Sequence, residues 1–193
     1  MSQSGKERIV AAARQRFSHY GYSKTTMAEI AADCRMSVGN LYRFYDNKEE
    51  IAVEGARGCL ILKAEVSEKA VAVAAAGMDA LRAYFITRLR HMHAFVLETP
   101  HMYELVQLIS GKHADLLVQF EQRAIAVLET ILLAGIAAGE FRMFDARQRA
   151  ADLFHACNKY NMPICMSDPV ESLEAELNSL LDLLYDGLRA LDG

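Results

Sequence analysis

The 193 residues include 52% hydrophobic side chains, enough for a real core in one or two domains, and no uncharged apolar run reaches the length of a membrane span. The four cysteines, Cys34, Cys59, Cys157 and Cys165, are scattered without a C-x-x-C pair, which excludes a small disulfide scaffold and fits reduced thiols in a cytoplasm. The formal charge of −4 is uneven: residues 1–50 hold eight Lys and Arg against six Asp and Glu, a balance of +2, which leaves −6 for the remainder, a division suited to meeting phosphates with one end only.

In chain order, Ile9, Ala13, Phe17 and Tyr20 recur every three or four positions, and Gly21 stands where a helix ends in a left-handed residue. This predicts a first helix over Gly5 to Tyr20, whose charged opening is unlike an apolar signal core. Thr26 and Glu29 have the spacing of a capping box ahead of Ile30 and Ala31, so a second helix begins near Met27. Ser37 occupies an N-cap position before Leu41 and Tyr45, predicting a third helix to about Phe44, and Cys34 to Met36 is only long enough for a helix-turn-helix corner. A second helix presented in that way is suited to entering DNA. Asn47 and Glu50 repeat the capping spacing and open a long helix from Lys48 to about Ala75, which Gly77 breaks.

The later pattern is helical throughout. Asp79 to Glu98 precedes Pro100, a short helix covers His101 to Ile109, and after Gly111 a long helix carries Leu117, Phe120, Ala124, Leu128 and Ile131 on one face, with Gly135 and Gly139 near its end. A further helix spans Arg147 to Tyr160, and Pro163 interrupts the chain. Asp168-Pro169-Val170-Glu171 then restarts it with a cap, Pro in the first turn and an acid at the third position. The last helix carries Leu173, Leu177, Leu180, Leu181, Leu184 and Leu188. The expectation is an all-α chain of nine helices, three in a helix-turn-helix head over 1–47 and six in a body over 48–193.

The residues KERIVAAARQRF and GYSKTTMAEIAADCRMSVGNLYRFYDNKEEI resemble the DNA-binding head of the tetracycline-repressor (TetR) family of bacterial transcriptional regulators. The match covers about the first quarter of the chain. The T-x-x-E-I-A core, the S-x-G-x-L-Y segment and the K-E start of the next helix all keep their spacing together. Two departures stand out: Arg35 occupies a turn where the family favours Gly, and the family's Tyr-x-His-Phe run reads Tyr42-Arg43-Phe44-Tyr45. The first costs on the order of 1 kcal/mol, and the second removes one phosphate donor.

The resemblance implies double-stranded operator DNA, a small-molecule effector and a second copy of the chain as partners. Ser37, Val38, Gly39 and Asn40 then lie nearest base edges in the major groove, with Asn40 suited to adenine, Val38 to a thymine methyl and Gly39 to close backbone approach. Thr26, Tyr42, Arg43 and Lys48 become backbone contacts. The effector would be largely apolar, held among Tyr84, Arg88, His93, Met102, Tyr103, Phe120, His155 and Asn158. The six leucines from Leu173 to Leu188 would pair across a twofold axis or face their own core, and a palindromic operator favours the homodimer.

No nucleophile elbow, P-loop or dinucleotide fingerprint occurs, so neither an enzyme nor a cofactor is expected. His91 and His93, two residues apart on a helix, point about 200° from each other and make a poor metal pair. His155 and Cys157 support a metal- or thiol-sensing alternative, and a helical interaction module without DNA affinity is a second one.

Overall fold

The computed structural model describes residues 5–99 and 101–189. Among them are nine α-helices: α1 Gly5–Tyr20, α2 Met27–Asp33, α3 Val38–Leu41, α4 Lys48–Ala72, α5 Met78–Glu98, α6 Met102–Lys112, α7 Ala114–Ala137, α8 Ala146–Ala156 and α9 Val170–Leu188. Two 3₁₀ turns, Asn158–Asn161 and Pro163–Cys165, join α8 to α9. An isolated antiparallel bridge links Phe141 to Arg189. The all-α architecture is the one expected. Pro100, the expected stop after α5, lies outside the described residues.

Most helix ends follow the local chemistry. Gly21 and Gly77 take φ of +90° and +79°, the left-handed conformation in which a helix stops without a Cβ clash. Asn47 Oδ1 accepts from Glu50 N at 2.9 Å, while the Glu50 carboxylate takes Asp46 N instead of Asn47 N. The reciprocal half of this cap is thus displaced by one residue.

Several boundaries differ from expectation. Helix α3 ends at Leu41, not Phe44, because Arg43 N and Phe44 N bond three residues back, to Asn40 and Leu41, and tighten the last turn. Helix α4 stops at Ala72, and α6 runs on to Lys112. Helix α8 begins one residue early because Asp145, unnoticed in the sequence, caps it by accepting from Gln148 N at 3.0 Å. It also stops at Ala156, and the rest of the expected helix becomes 3₁₀ ahead of Pro163. At the start of α9 the cap position is Pro169, and Asp168 makes no side-chain cap bond.

The described chain forms two compact units, one of Met1–Ile61 with Val96–Leu117 and one of Leu62–Phe95 with Val118–Gly193. The first buries Ile9, Ala13 and Phe17 from α1, Ile30, Ala31 and Cys34 from the second helical region, Leu41 and Tyr45 around the third, and Ile51 and Ala52 from α4. Tyr20, expected on the α1 stripe, is exposed and lies under the Arg16 guanidinium, 5.3 Å from its ring centre. Glu104 closes the loop after α1 by accepting from Ser23 N at 2.7 Å.

The second unit buries Leu81, Tyr84, Phe85 and Leu89 of α5, Leu128, Ile131 and Leu132 of α7, Ala150 and Leu153 of α8, and Leu173, Leu177 and Leu181 of α9. Side chains tie the helices at their edges: Arg90 to Glu174 and Arg82 to Asp182 join α5 to α9, while Arg123 holds Glu68 through two bonds between α7 and α4. Along α7 the buried face includes Ala124, Leu128 and Ile131 as expected, but at its N-terminal end Leu116 is inside the first unit and Leu117 is exposed.

Candidate nucleic-acid interface

The corner is built by backbone-directed hydrogen bonds. Thr26 Oγ1 accepts from Glu29 N, and the Glu29 carboxylate accepts from Thr26 N at 2.8 Å, completing the capping box that starts α2. These bonds hold the Glu29 carboxyl below the ordinary carboxylate range, with Arg16 a lesser cause. Arg16 grips Asp33 at 2.6 and 3.1 Å, fixing α1 against the end of α2 and lowering the pKa of the Asp33 carboxyl. Arg8 donates to the Cys34 carbonyl at 3.0 Å. The turn then passes through Arg35 at φ +53°, the left-handed position where the family favours Gly.

Ser37 begins α3 by accepting from Asn40 N at 3.2 Å, and Leu41, wholly buried, anchors the helix inward. This single anchor turns the rest outward. Ser37, Val38, Gly39, Tyr42 and Arg43 are exposed, and Asn40 is half-buried. Neither the Asn40 amide, the Tyr42 hydroxyl nor the Arg43 guanidinium has a side-chain bond within the described residues, so their donors and acceptors are available to a ligand. A Cβ placed on Gly39 would meet nothing within 4 Å, which removes internal packing as the reason for a glycine inside a helix. Phe44, at the position of the family's His, packs towards Gly5 and offers no donor.

Two expected contacts are committed elsewhere. The Thr26 hydroxyl donates to Glu29 at 2.8 Å while it accepts from the α2 backbone. Lys48 departs more strongly: its ammonium donates to the carbonyls of Tyr22, Ser23 and Thr25 at 2.9, 3.4 and 3.0 Å and stands 4.4 Å from the Tyr22 ring centre. It clasps the loop before α2, and a phosphate contact would require it to release one of these bonds. Lys24, which sequence reasoning passed over, is an exposed cation within the same loop without an ion pair among the described residues. Its position two residues before the Thr26 cap was the available signal.

The expected effector residues fall in both units. Met102 and Tyr103 belong to the first unit, Met102 buried and Tyr103 exposed. The others belong to the second, where Tyr84 and Arg88 are buried together, Phe120 and Asn158 are half-buried and His155 is exposed. His93 donates to the Asp168 carbonyl at 3.1 Å and so pins the start of α9. An open cleft of about 580 Å³ in the first unit is lined by Glu49, Glu50, Glu54 and neighbours and includes none of the expected effector residues.

The leucine stripe divides too. Of the two roles left open for the stripe, Leu173, Leu177, Leu181 and Leu188 take up the internal one in the single chain, where all four are buried. Leu180 and Leu184 are half-buried, and Leu183, not considered from the stripe, is 71% exposed.

Three N-terminal helices that close over a small core and turn one face of a short third helix to solvent define a helix-turn-helix regulator. The chain belongs to the TetR family: residues 9–54 match the model for bacterial regulatory proteins of the tetR family, and residues 78–180 match the tetracyclin repressor-like C-terminal domain. Solved structures share the fold. A transcriptional regulator from Cytophaga hutchinsonii superposes with a TM-score of 0.76 at 21% identity, over 97% of this chain and 100% of that one. The fatty acid degradation regulator FadR from Bacillus halodurans gives 0.68 at 18% identity over 94% and 96%. A tetR-family regulatory protein from Rhodococcus RHA1 gives 0.60 at 23% over 99% and 100%. A comparison with curated protein sequences finds no match. Among the described residues no helix is long and apolar enough to cross a membrane.

Proposed function

We propose that the chain is a ligand-responsive repressor that binds a palindromic operator as a homodimer and leaves it when a small, largely apolar effector enters the body. The observation that carries the DNA-binding part is the outward face of α3 with its flanking turn: Val38, Gly39, Asn40, Tyr42 and Arg43 are presented without internal partners. Asn40 reads a base, Val38 and Gly39 allow close approach, and Tyr42, Arg43 and Lys24 meet phosphates. Two recognition helices of a dimer would enter successive major grooves about 34 to 36 Å apart. The effector acts by binding more tightly to a state with a different spacing. On α9 the surface for a second copy is Leu180, Leu183 and Leu184.

The sensor alternative has less support. Burial pushes the Cys157 thiol up to about 12, which keeps it from the reactive thiolate form. Among the described residues no group of three His, Cys, Asp or Glu could hold a metal ion.

Sedimentation of the protein alone and on a bound duplex, at several salt concentrations, tests the proposal. Two chains per duplex and a log-log salt slope of about −0.9 per contacted phosphate are expected. One chain per duplex, or affinity indifferent to salt, would dismiss the dimeric operator binder.

A further inference from the structure

The second unit takes cationic side chains into its interior. Arg88 is 7% exposed and Lys63 is 6% exposed. Arg88 and Lys63 each donate a bond to Asn161 Oδ1, at 3.2 and 3.0 Å, so the two donor nitrogens stand within about 6 Å of each other. One turn before Arg88 on α5, Tyr84 is 1% exposed, and its hydroxyl is buried without a hydrogen-bond partner. The Arg88 guanidinium lies 5.1 Å from the centre of that ring. Burial holds the guanidinium below its ordinary pKa and lifts that of the phenol, as expected of groups withdrawn from water.

This arrangement lacks a negative charge close to Arg88. Glu68 is the carboxylate whose field reaches Arg88, yet its two oxygens are held by Arg123 at 2.8 and 2.9 Å. A guanidinium has five donors in a planar fork, and Arg88 uses one of them in a bond to a neutral amide oxygen. A charge in the interior is costly unless it is paired and hydrogen-bonded, and an orphaned hydroxyl adds to that cost. An oxyanion is the ligand group that accepts both from a guanidinium fork and from a phenol hydroxyl.

We propose that Arg88 and Tyr84, with Lys63 and Asn161 beside them, form an anion subsite for the effector, an organic molecule with a carboxylate or phosphate group and an apolar remainder. The proposal rests on the ligand-responsive reading above and narrows it, because a purely apolar effector leaves Arg88 and Tyr84 unanswered. Asn161 lies in the first of two successive 3₁₀ turns, whose hydrogen bonding is poorer than that of an α-helix and which expose Met162 and Ile164. An arriving anion competes with Asn161 for Arg88 and so acts directly on that segment.

Calorimetric titration of the full chain with octanoate, octyl phosphate and 1-octanol tests the subsite at constant tail length. At least one anion is expected to bind about tenfold or more tightly than the alcohol, and the stronger anion identifies the group. Arg88→Met should abolish that preference, and Tyr84→Phe should weaken it severalfold. Equal binding of alcohol and anions, no binding of either anion, or a preference that survives Arg88→Met would each overturn the proposal.

Unliganded melting provides a readout independent of the probe. Arg88→Met should melt no lower than the parent, since a well-packed apolar replacement of a buried charge is often neutral or stabilising. A drop of several degrees would assign Arg88 to the fold and overturn the subsite. An effector that releases DNA equally from the parent and from Arg88→Met would sink this inference while leaving ligand response intact. Failure of any small molecule to alter DNA affinity would sink the broader reading instead.

Discussion

The first unit and the second treat their charges differently. Around the helix-turn-helix corner, cations meet carboxylates or carbonyls near the surface: Arg16 on Asp33, Lys112 on Glu49, Arg8 on the end of α2 and Lys48 on the loop before it. The core beneath is apolar apart from the buried Thr25, whose hydroxyl donates to Gly21 O, and Tyr45, whose hydroxyl is buried without a partner. In the second unit Arg88 and Lys63 are drawn inside and share one amide oxygen. Each unit thus keeps one buried hydroxyl without a hydrogen-bond partner, Tyr45 in the first and Tyr84 in the second, but only the second sets its orphan beside a buried guanidinium.

The comparison is broken most forcefully at Leu41. Because this fully buried residue is the inward anchor of α3, Leu41→Ala should cost about 2 to 5 kcal/mol of unfolding free energy, measured by denaturant titration. A loss under 1 kcal/mol would mean that the corner does not depend on its core. Asn40→Ala separates fold from recognition: specific duplex affinity should fall by about 1 to 3 kcal/mol, roughly fivefold to 150-fold, with an unchanged melting temperature. Retained affinity would remove Asn40 from base reading.

A smaller effect is expected at the turn. Arg35 pays a conformational penalty at φ +53°, so Arg35→Gly should relieve strain of about 1 kcal/mol, less the entropy glycine adds to the unfolded chain. A marked destabilisation would show that the Arg35 side chain itself supports the head. Acid should act on both units. Glu29, Asp33, Glu49 and Glu104 in the first, and Glu174 and Glu176 in the second, all have lowered folded pKa values, chiefly through hydrogen bonds. Their stabilisation is complete above the unfolded values of about 4 and is lost as pH falls through the folded ones. Thermal melts between pH 7 and 3 should therefore drop steeply only at the acid end; a loss already present near pH 6 would point to other groups.

Much of the head could be read in the sequence because its signals are local. The Thr26 capping box, the Ser37 cap and the left-handed Arg35 each depend on residues within one turn, and the structure has all three. Longer-range facts were hidden. The Lys48 clasp joins residues more than twenty positions apart, and Asn161 meets Lys63 and Arg88 from a segment that periodicity assigned to the neighbourhood of a helix end. The leucines of α9 show why a stripe names burial and not the partner: the same 3.6-residue spacing fits a dimer face and an internal one, and burial selects the internal one for four of the six.

The decisive experiment for the DNA-binding reading is selection of bound sequences from random duplex DNA by the purified protein at moderate salt. Enrichment of a palindrome with half-sites one helical turn apart is expected, and it should be lost when Asn40 is changed to Ala. A folded, active preparation that enriches no motif, or that enriches the same motif with Asn40→Ala, would contradict that reading.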